Sequence, residues 1–180
     1  MPFTLIRHPK CVHAEGICYG HLDLPADSLY LKQHLPQLLA ALPSDFLLMS
    51  SPSSRCQKLA EEIAREKSVS ISTSELLREL YFGYWEGRAW ESISVEELDA
   101  WAQDIWGYCP GDGESASSLK DRCLQFLAWM QQQPITKDIV VISHAGFIRM
   151  CLSLLGKISP DEQWTYPIAY MHPYLIEEFV

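Results

Sequence analysis

Apolar and polar positions alternate along the chain with two different periods, and the changes of period mark out the elements. Phe3 to Arg7 reads as a short buried strand that stops at His8-Pro9, because proline cannot donate to a sheet ladder. Leu29 to Leu42 has helical spacing but contains Pro36, so a kink or a restart is expected there. Phe46 to Met49 is a second apolar strand. The run Ser50-Ser51-Pro52-Ser53-Ser54-Arg55 after it reads as a loop and N-cap. It opens a helix with Cys56, Leu59, Ala60, Ile63 and Ala64 on its apolar face. Val69 to Ser72 is a candidate strand. Ser94-Val95-Glu96-Glu97 has the form of a capping box, and the helix it starts is expected to bury Leu98, Trp101, Ala102 and Ile105. Leu119, Cys123, Phe126, Leu127 and Met130 share one stripe of a further helix, ended by Pro134. The β-branched run Asp138 to Ile142 is the strongest strand signal. It leads through Ser143-His144-Ala145-Gly146 into a helix capped by Gly156, and Ile168 to Phe179 is expected to hold one or two closing strands. Strands alternating with helices predict an α/β domain of three layers, with helices on both faces of a mostly parallel sheet.

Composition narrows this picture without changing it. No repeat, low-complexity tract or linker divides the 180 residues, so residues 1–180 are read as one domain. The 14 basic and 23 acidic residues give a net charge of −9, which argues against nucleic acid or an anionic membrane as partner. A small anionic substrate remains compatible, since a few arginines focused in one cleft outweigh a diffuse negative surface at short range. No apolar run is long enough to span a membrane, and Met1 to Ile6 lacks the basic flank of a signal peptide. The six cysteines show no C-x-x-C spacing and several fall on apolar helix faces, as expected of reduced thiols in a cytoplasmic protein. A monomer or homodimer is expected.

The chemically potent residues cluster where strands run out. Arg7 and His8 follow the first strand, Arg55 the second, and His144 the β-branched one. Ligands of open α/β sheets bind beyond the carboxyl ends of the strands, so these four can converge on one crevice. Two guanidinium groups match the oxygens of a phosphoryl group, and Arg55 also falls in the first turn of a helix, where free N–H groups favour an anion. Phosphoryl transfer to water needs a proton for the departing alkoxide. Glu79 is the candidate donor, set among apolar and aromatic neighbours that would favour its protonated form. Two bland readings compete with this one. Cys11, His13, Cys18 and His21 form a short Cys/His cluster, but their spacing fits no common zinc pattern, and no metal is expected. A catalytically idle binding module has no need of two arginines, two histidines and Glu79 together.

The order of these groups carries a resemblance. Leu5-Ile6-Arg7-His8-Pro9 resembles the Arg-His-Gly signature of the histidine phosphatase superfamily, in the branch that includes phosphoglycerate mutases. Ser50 to Arg55 is similar to its second arginine motif, and Glu79 to Gly87 to its acid-donor segment. Gly111-Asp112-Gly113-Glu114-Ser115 is similar to its Gly-Glu-Ser loop, and Val141 to Arg149 to its second histidine motif. The resemblance implies the three-layer fold of that family and a phosphatase needing neither metal nor other cofactor. It also implies roles: His8 attacks phosphorus as a neutral imidazole, Glu79 serves as acid and then base, and Arg7, Arg55 and an imidazolium at His144 hold the oxygens. Pro9 departs from the family glycine and removes one N–H from the phosphate loop.

The run Cys18-Tyr19-Gly20-His21-Leu22-Asp23-Leu24-Pro25 is similar to the α-ribazole phosphatase-like subgroup, associated with cobalamin biosynthesis. Tyr19 and His21 are accordingly read as lining the leaving-group site, and Trp85 and Trp90 as its roof or a lid. A broad-specificity sugar or nucleotide phosphatase is the alternative. A mutase is disfavoured, because Arg88 is the one base between Glu86 and Glu114.

Overall fold

A computed structural model describes residues 2–132 and 137–177. Its five strands are β1 (Phe3–Arg7), β2 (Phe46–Ser50), β3 (Ile71–Thr73), β4 (Asp138–Ser143) and β5 (Pro173–Ile176). They lie in the order β3-β2-β4-β1-β5. The pairs β1–β4, β2–β4 and β2–β3 are parallel, and β5 runs antiparallel along β1. The central strand β4 is the β-branched run, buried on both faces as a parallel strand must be.

Strand side chains alternate between the two faces, and the two cores separate accordingly. Phe3, Leu5, Ile139 and Val141 pack with α4 (Ala116–Gln132) and α5 (Ala145–Leu154). Ile6, Leu48, Val140 and Ile142 pack on the other side with α1 (Ser28–Ala41) and α2 (Ser54–Lys67). This is the three-layer α/β arrangement expected from the sequence. Among the described residues, no helix is long and apolar enough to cross a membrane.

Local expectations fare unevenly. The stripe Leu119, Cys123, Phe126, Leu127 and Met130 is buried along α4, while its expected stop at Pro134 lies outside the described residues. Gly156 follows α5 in the left-handed conformation, as a helix-ending glycine does. Pro36, by contrast, neither breaks nor restarts α1. The helix runs through it, because Leu31 before it and Leu38 after it are both buried and packing outweighs one missing amide bond. The capping box opens α3 (Val95–Gln103), with Ser94 Oγ accepting from the Glu97 N–H at 3.2 Å. That helix buries less than expected: Leu98 and Trp101 are only half-buried, Ala102 is exposed, and Ile105 lies beyond its end. Within the closing segment one strand, β5, is described; Phe179 lies outside the described residues.

β2, β4 and β1 are neighbours in the sheet, so their carboxyl ends lie side by side. His8 follows β1, His144 follows β4, and Arg55 stands in the first turn of the helix after β2. The topology therefore brings the residues singled out at the strand ends to one edge.

Candidate active site

His8 leaves β1 with its N–H donating to the Ser143 carbonyl at 3.0 Å, which ties it to the end of β4. Its ring is almost fully buried. Nδ1 lies 2.6 Å from the Pro9 carbonyl oxygen, which can only accept, so the proton sits on Nδ1 and Nε2 carries the lone pair. Pro9 lacks an amide hydrogen but keeps the carbonyl that fixes this tautomer. Arg55 Nε donates to His8 Nε2 at 3.3 Å. Burial, and then the Arg55 guanidinium, push His8 well below the usual histidine value of 6.5, against the weaker opposing pull of the Pro9 carbonyl. The ring is neutral near pH 7.

Arg55 is buried completely and uses its whole fork. Besides His8, it donates to the carbonyls of Leu22 (Nη1, 3.0 Å) and Gly20 (Nη2, 2.6 Å) and to His144 Nδ1 (Nη2, 3.1 Å). Arg7 Nη1 donates to the Ile168 carbonyl at 2.7 Å, and its guanidinium lies 3.7 Å from the centre of the Tyr170 ring. Among the described residues, Arg7 Nε is buried without a hydrogen-bond partner, a donor that an oxyanion would satisfy.

Glu79 has a different setting from the apolar one expected. Its two carboxyl oxygens accept from the backbone N–H groups of Leu80 (3.0 Å), Gly146 (3.0 Å) and Phe147 (3.2 Å), the last two at the N-terminus of α5. Residue 146 must be glycine for this approach, since a Cβ there would come within 2.4 Å of Glu79 Oε1. Arg122 pins the same segment. It donates to the carbonyls of Leu76, Arg78 and Glu79 and forms a two-pronged pair with the Glu114 carboxylate.

Arg7, His8, Ile17, Tyr19, Arg55, Glu79, Phe82 and Trp90 line one cavity of about 170 Å³ beyond the strand ends. A buried neutral imidazole, two guanidiniums and a carboxyl facing one small space is chemistry suited to a phosphate ester. The sequence pattern of the histidine phosphatase superfamily (branch 1) matches residues 3–178. The chain belongs to the histidine phosphatase superfamily. It is similar to the adenosylcobalamin/alpha-ribazole phosphatase of Escherichia coli K12, 25% identical over 174 residues covering 93% of this chain and 85% of that protein. It is also similar to phosphoserine phosphatase 1 of Hydrogenobacter thermophilus, 27% identical over 169 residues covering 90% of this chain and 79% of that one. Among solved structures, the alpha-ribazole phosphatase from Shigella flexneri superposes with a TM-score of 0.85 over 98% of this chain and 90% of its own. At 23% identity that likeness speaks for the fold alone.

Not every residue expected at the site of this histidine phosphatase reaches the cavity. Arg7, His8, Tyr19, Arg55 and Glu79 do. His144 stands behind the wall, fully buried, with its ring centre 5.1 Å from that of His8. Its Nδ1 accepts from Arg55, so its proton is on Nε2, which donates to Ser51 Oγ at 2.8 Å. Burial, then Arg55 and His8, hold it well below the usual value. A neutral ring therefore replaces the imidazolium expected from the resemblance. His21 lies outside the wall, where Nε2 donates to the Glu79 carbonyl at 2.9 Å. Trp90 is in the wall, but Trp85 is buried in the core with its indole N–H on Glu97 at 2.9 Å. Cys18 packs against Trp85 and Ile93, and with His21 engaged elsewhere no Cys/His cluster forms among the described residues.

Ile17, Phe82, Ser51, Arg122 and Tyr170 carry no signal in the sequence that marks them for the site. Ser51 lies inside a motif that was read for its arginine. Arg122 flanks the apolar stripe of α4 and is largely buried, and no periodicity points to an arginine there.

His8 and His144, the two histidines buried beside Arg55, make a stability prediction. Both stay neutral in the folded state, whereas in the unfolded chain each takes up a proton near 6.5. The unfolded state thus binds more protons below that pH. Their contribution is fully present above about pH 6.5 and is lost as pH falls from there, at up to about 1.4 kcal/mol per proton per pH unit. Denaturant titrations are expected to give lower stability at about pH 5.5 than at about pH 7.5. Equal or higher stability at the lower pH contradicts the neutral pair.

Proposed function

We propose that this chain hydrolyses phosphate monoesters of small metabolites through a phosphohistidine on His8. One observation carries the reading: a neutral imidazole whose Nε2 lone pair meets a guanidinium, in a cavity shared by a second arginine and a carboxyl. In the first half-reaction the His8 Nε2–phosphorus bond forms as the phosphorus–ester oxygen bond breaks, and Glu79 passes its proton to the departing alkoxide. In the second half, water attacks phosphorus, the nitrogen–phosphorus bond breaks, and the water proton goes to Glu79. Atoms, charge and the acid are restored.

Arg7 and Arg55 supply the positive charge that the transferring PO3 group requires. Arg55 is held beside His8 by two carbonyls and His144, which fixes where its charge acts. His144 acts from behind, by accepting from Arg55 at Nδ1, while Ser51 Oγ accepts from its Nε2. His21 acts through the Glu79 backbone.

The curated relatives named for α-ribazole phosphatase activity support α-ribazole 5′-phosphate as a substrate. The test is a pair of assays in EDTA, with p-nitrophenyl phosphate and with α-ribazole 5′-phosphate. Turnover of both is expected. No turnover of either, or turnover only after a divalent metal is added, rejects the reading.

A further inference from the structure

The reaction uses Arg7, His8, Arg55 and Glu79, and leaves the purpose of Ile17, Phe82 and Trp90 open. These side chains come from two segments that pair with each other across the cavity. Ile17 bridges Ala89. The Cys18 N–H donates to the Arg88 carbonyl, the Gly87 N–H to the Cys18 carbonyl and the Trp90 N–H to the Gly16 carbonyl, each at 2.9 Å. The Glu86 carboxylate joins the segments further, accepting from the N–H groups of His21 (2.8 Å), Phe82 (3.0 Å) and Leu22. The Trp90 ring meets Phe82 edge to face at 5.6 Å and stacks on Trp101 at 6.3 Å and 8°. Trp90 is therefore part of a braced wall rather than a free-swinging lid.

The charge of the walls points the same way. Among the described residues, Arg7 and Arg55 are the only cations lining the cavity, and the phosphoryl group claims both. Nearby arginines are committed elsewhere: Arg122 to Glu114 and three carbonyls, Arg88 to the Ser92 carbonyl, Arg78 to Glu75. A leaving alcohol bearing a carboxylate would meet Glu79 and no cation. An apolar ring would meet Ile17, Phe82 and Trp90. The cavity is smaller than the roughly 300 Å³ of a site that encloses a whole ligand. It therefore takes in the phosphate and the first atoms of the alcohol, and the rest extends past the half-buried side chains of Ile17, Phe82 and Trp90.

We infer that Phe82 and Trp90 determine specificity, selecting phosphate monoesters whose alcohol carries a flat, uncharged ring and rejecting those whose alcohol carries a second anion. The inference rests on the phosphatase reading and adds the substrate class. It is tested by kcat/KM of the full chain for 2-phenylethyl phosphate, ethyl phosphate, 3-phosphoglycerate and O-phosphoserine.

The ring ester is expected to exceed ethyl phosphate by about tenfold or more, from stacking on aromatic side chains. The two carboxylate esters are expected to fall below ethyl phosphate. Trp90→Ala is expected to shrink the ring preference about tenfold, and Trp90→Phe to keep most of it. If the alanine variant does not fold, Phe82→Leu carries the same comparison of ratios. Equal use of ethyl, carboxylate and ring esters overturns the inference and leaves the phosphatase reading standing, as does an unchanged preference in a folded Trp90→Ala protein. Failure to hydrolyse any ester, p-nitrophenyl phosphate included, rejects the phosphatase reading itself.

Discussion

His8→Ala is expected to lower kcat/KM for every phosphate ester by at least about 10⁴-fold, because it removes the bond-forming atom rather than a supporting contact. The loss should be the same for good and poor leaving groups, since no nucleophile is left for either. Folding should survive. His8 contributes one backbone hydrogen bond to the β4 end, which alanine keeps, and its ring accepts from Arg55 Nε and touches His144 and Tyr170 but fills no part of either main core. A circular dichroism spectrum and a melting curve close to those of the parent separate lost chemistry from lost structure. If the variant keeps more than about a hundredth of the parent activity, the nucleophile lies elsewhere.

Glu79→Gln has a different signature. It is expected to lower kcat/KM for alkyl phosphates by about 10²- to 10⁴-fold, the range over which a positioned general acid acts. The same quantity for p-nitrophenyl phosphate should fall far less, because p-nitrophenolate leaves without a proton. The comparison must use kcat/KM, which reports the step through departure of the alcohol; kcat also senses the later attack of water, where Glu79 is the base. Glutamine nearly preserves the shape held by Leu80, Gly146 and Phe147 but loses one of two accepting oxygens, so some loss common to all esters is expected. A uniform fall across both ester types rejects Glu79 as the acid.

How far the sequence could be read depended on the range of the interaction. The β-branched run of β4 and the apolar stripe of α4 are local patterns, and the structure reproduces both. The strand-end placement of Arg7, His8, Arg55 and His144 follows from the topology that those patterns imply. What sequence periodicity does not report is the partner of a polar group. The neighbours of Glu79 in sequence are apolar, whereas its partners in space include amides of a helix more than sixty residues later. The family resemblance implies an imidazolium at His144. Its burial beside Arg55 and His8 makes the neutral ring the stable form. Arg122 and Ser51 escaped for the same reason, since each matters only through a group brought to it by folding. Pro36 shows the reverse: a strong local signal overruled by burial on both sides of it.

The side chain that becomes covalently phosphorylated is the most direct measurement. Turnover of a labelled phosphate ester, quenched into alkaline denaturant and followed by peptide mass spectrometry, is expected to place one phosphoryl group on the imidazole of His8 at Nε2. Label on another residue, or none during rapid turnover of the parent protein, contradicts the account.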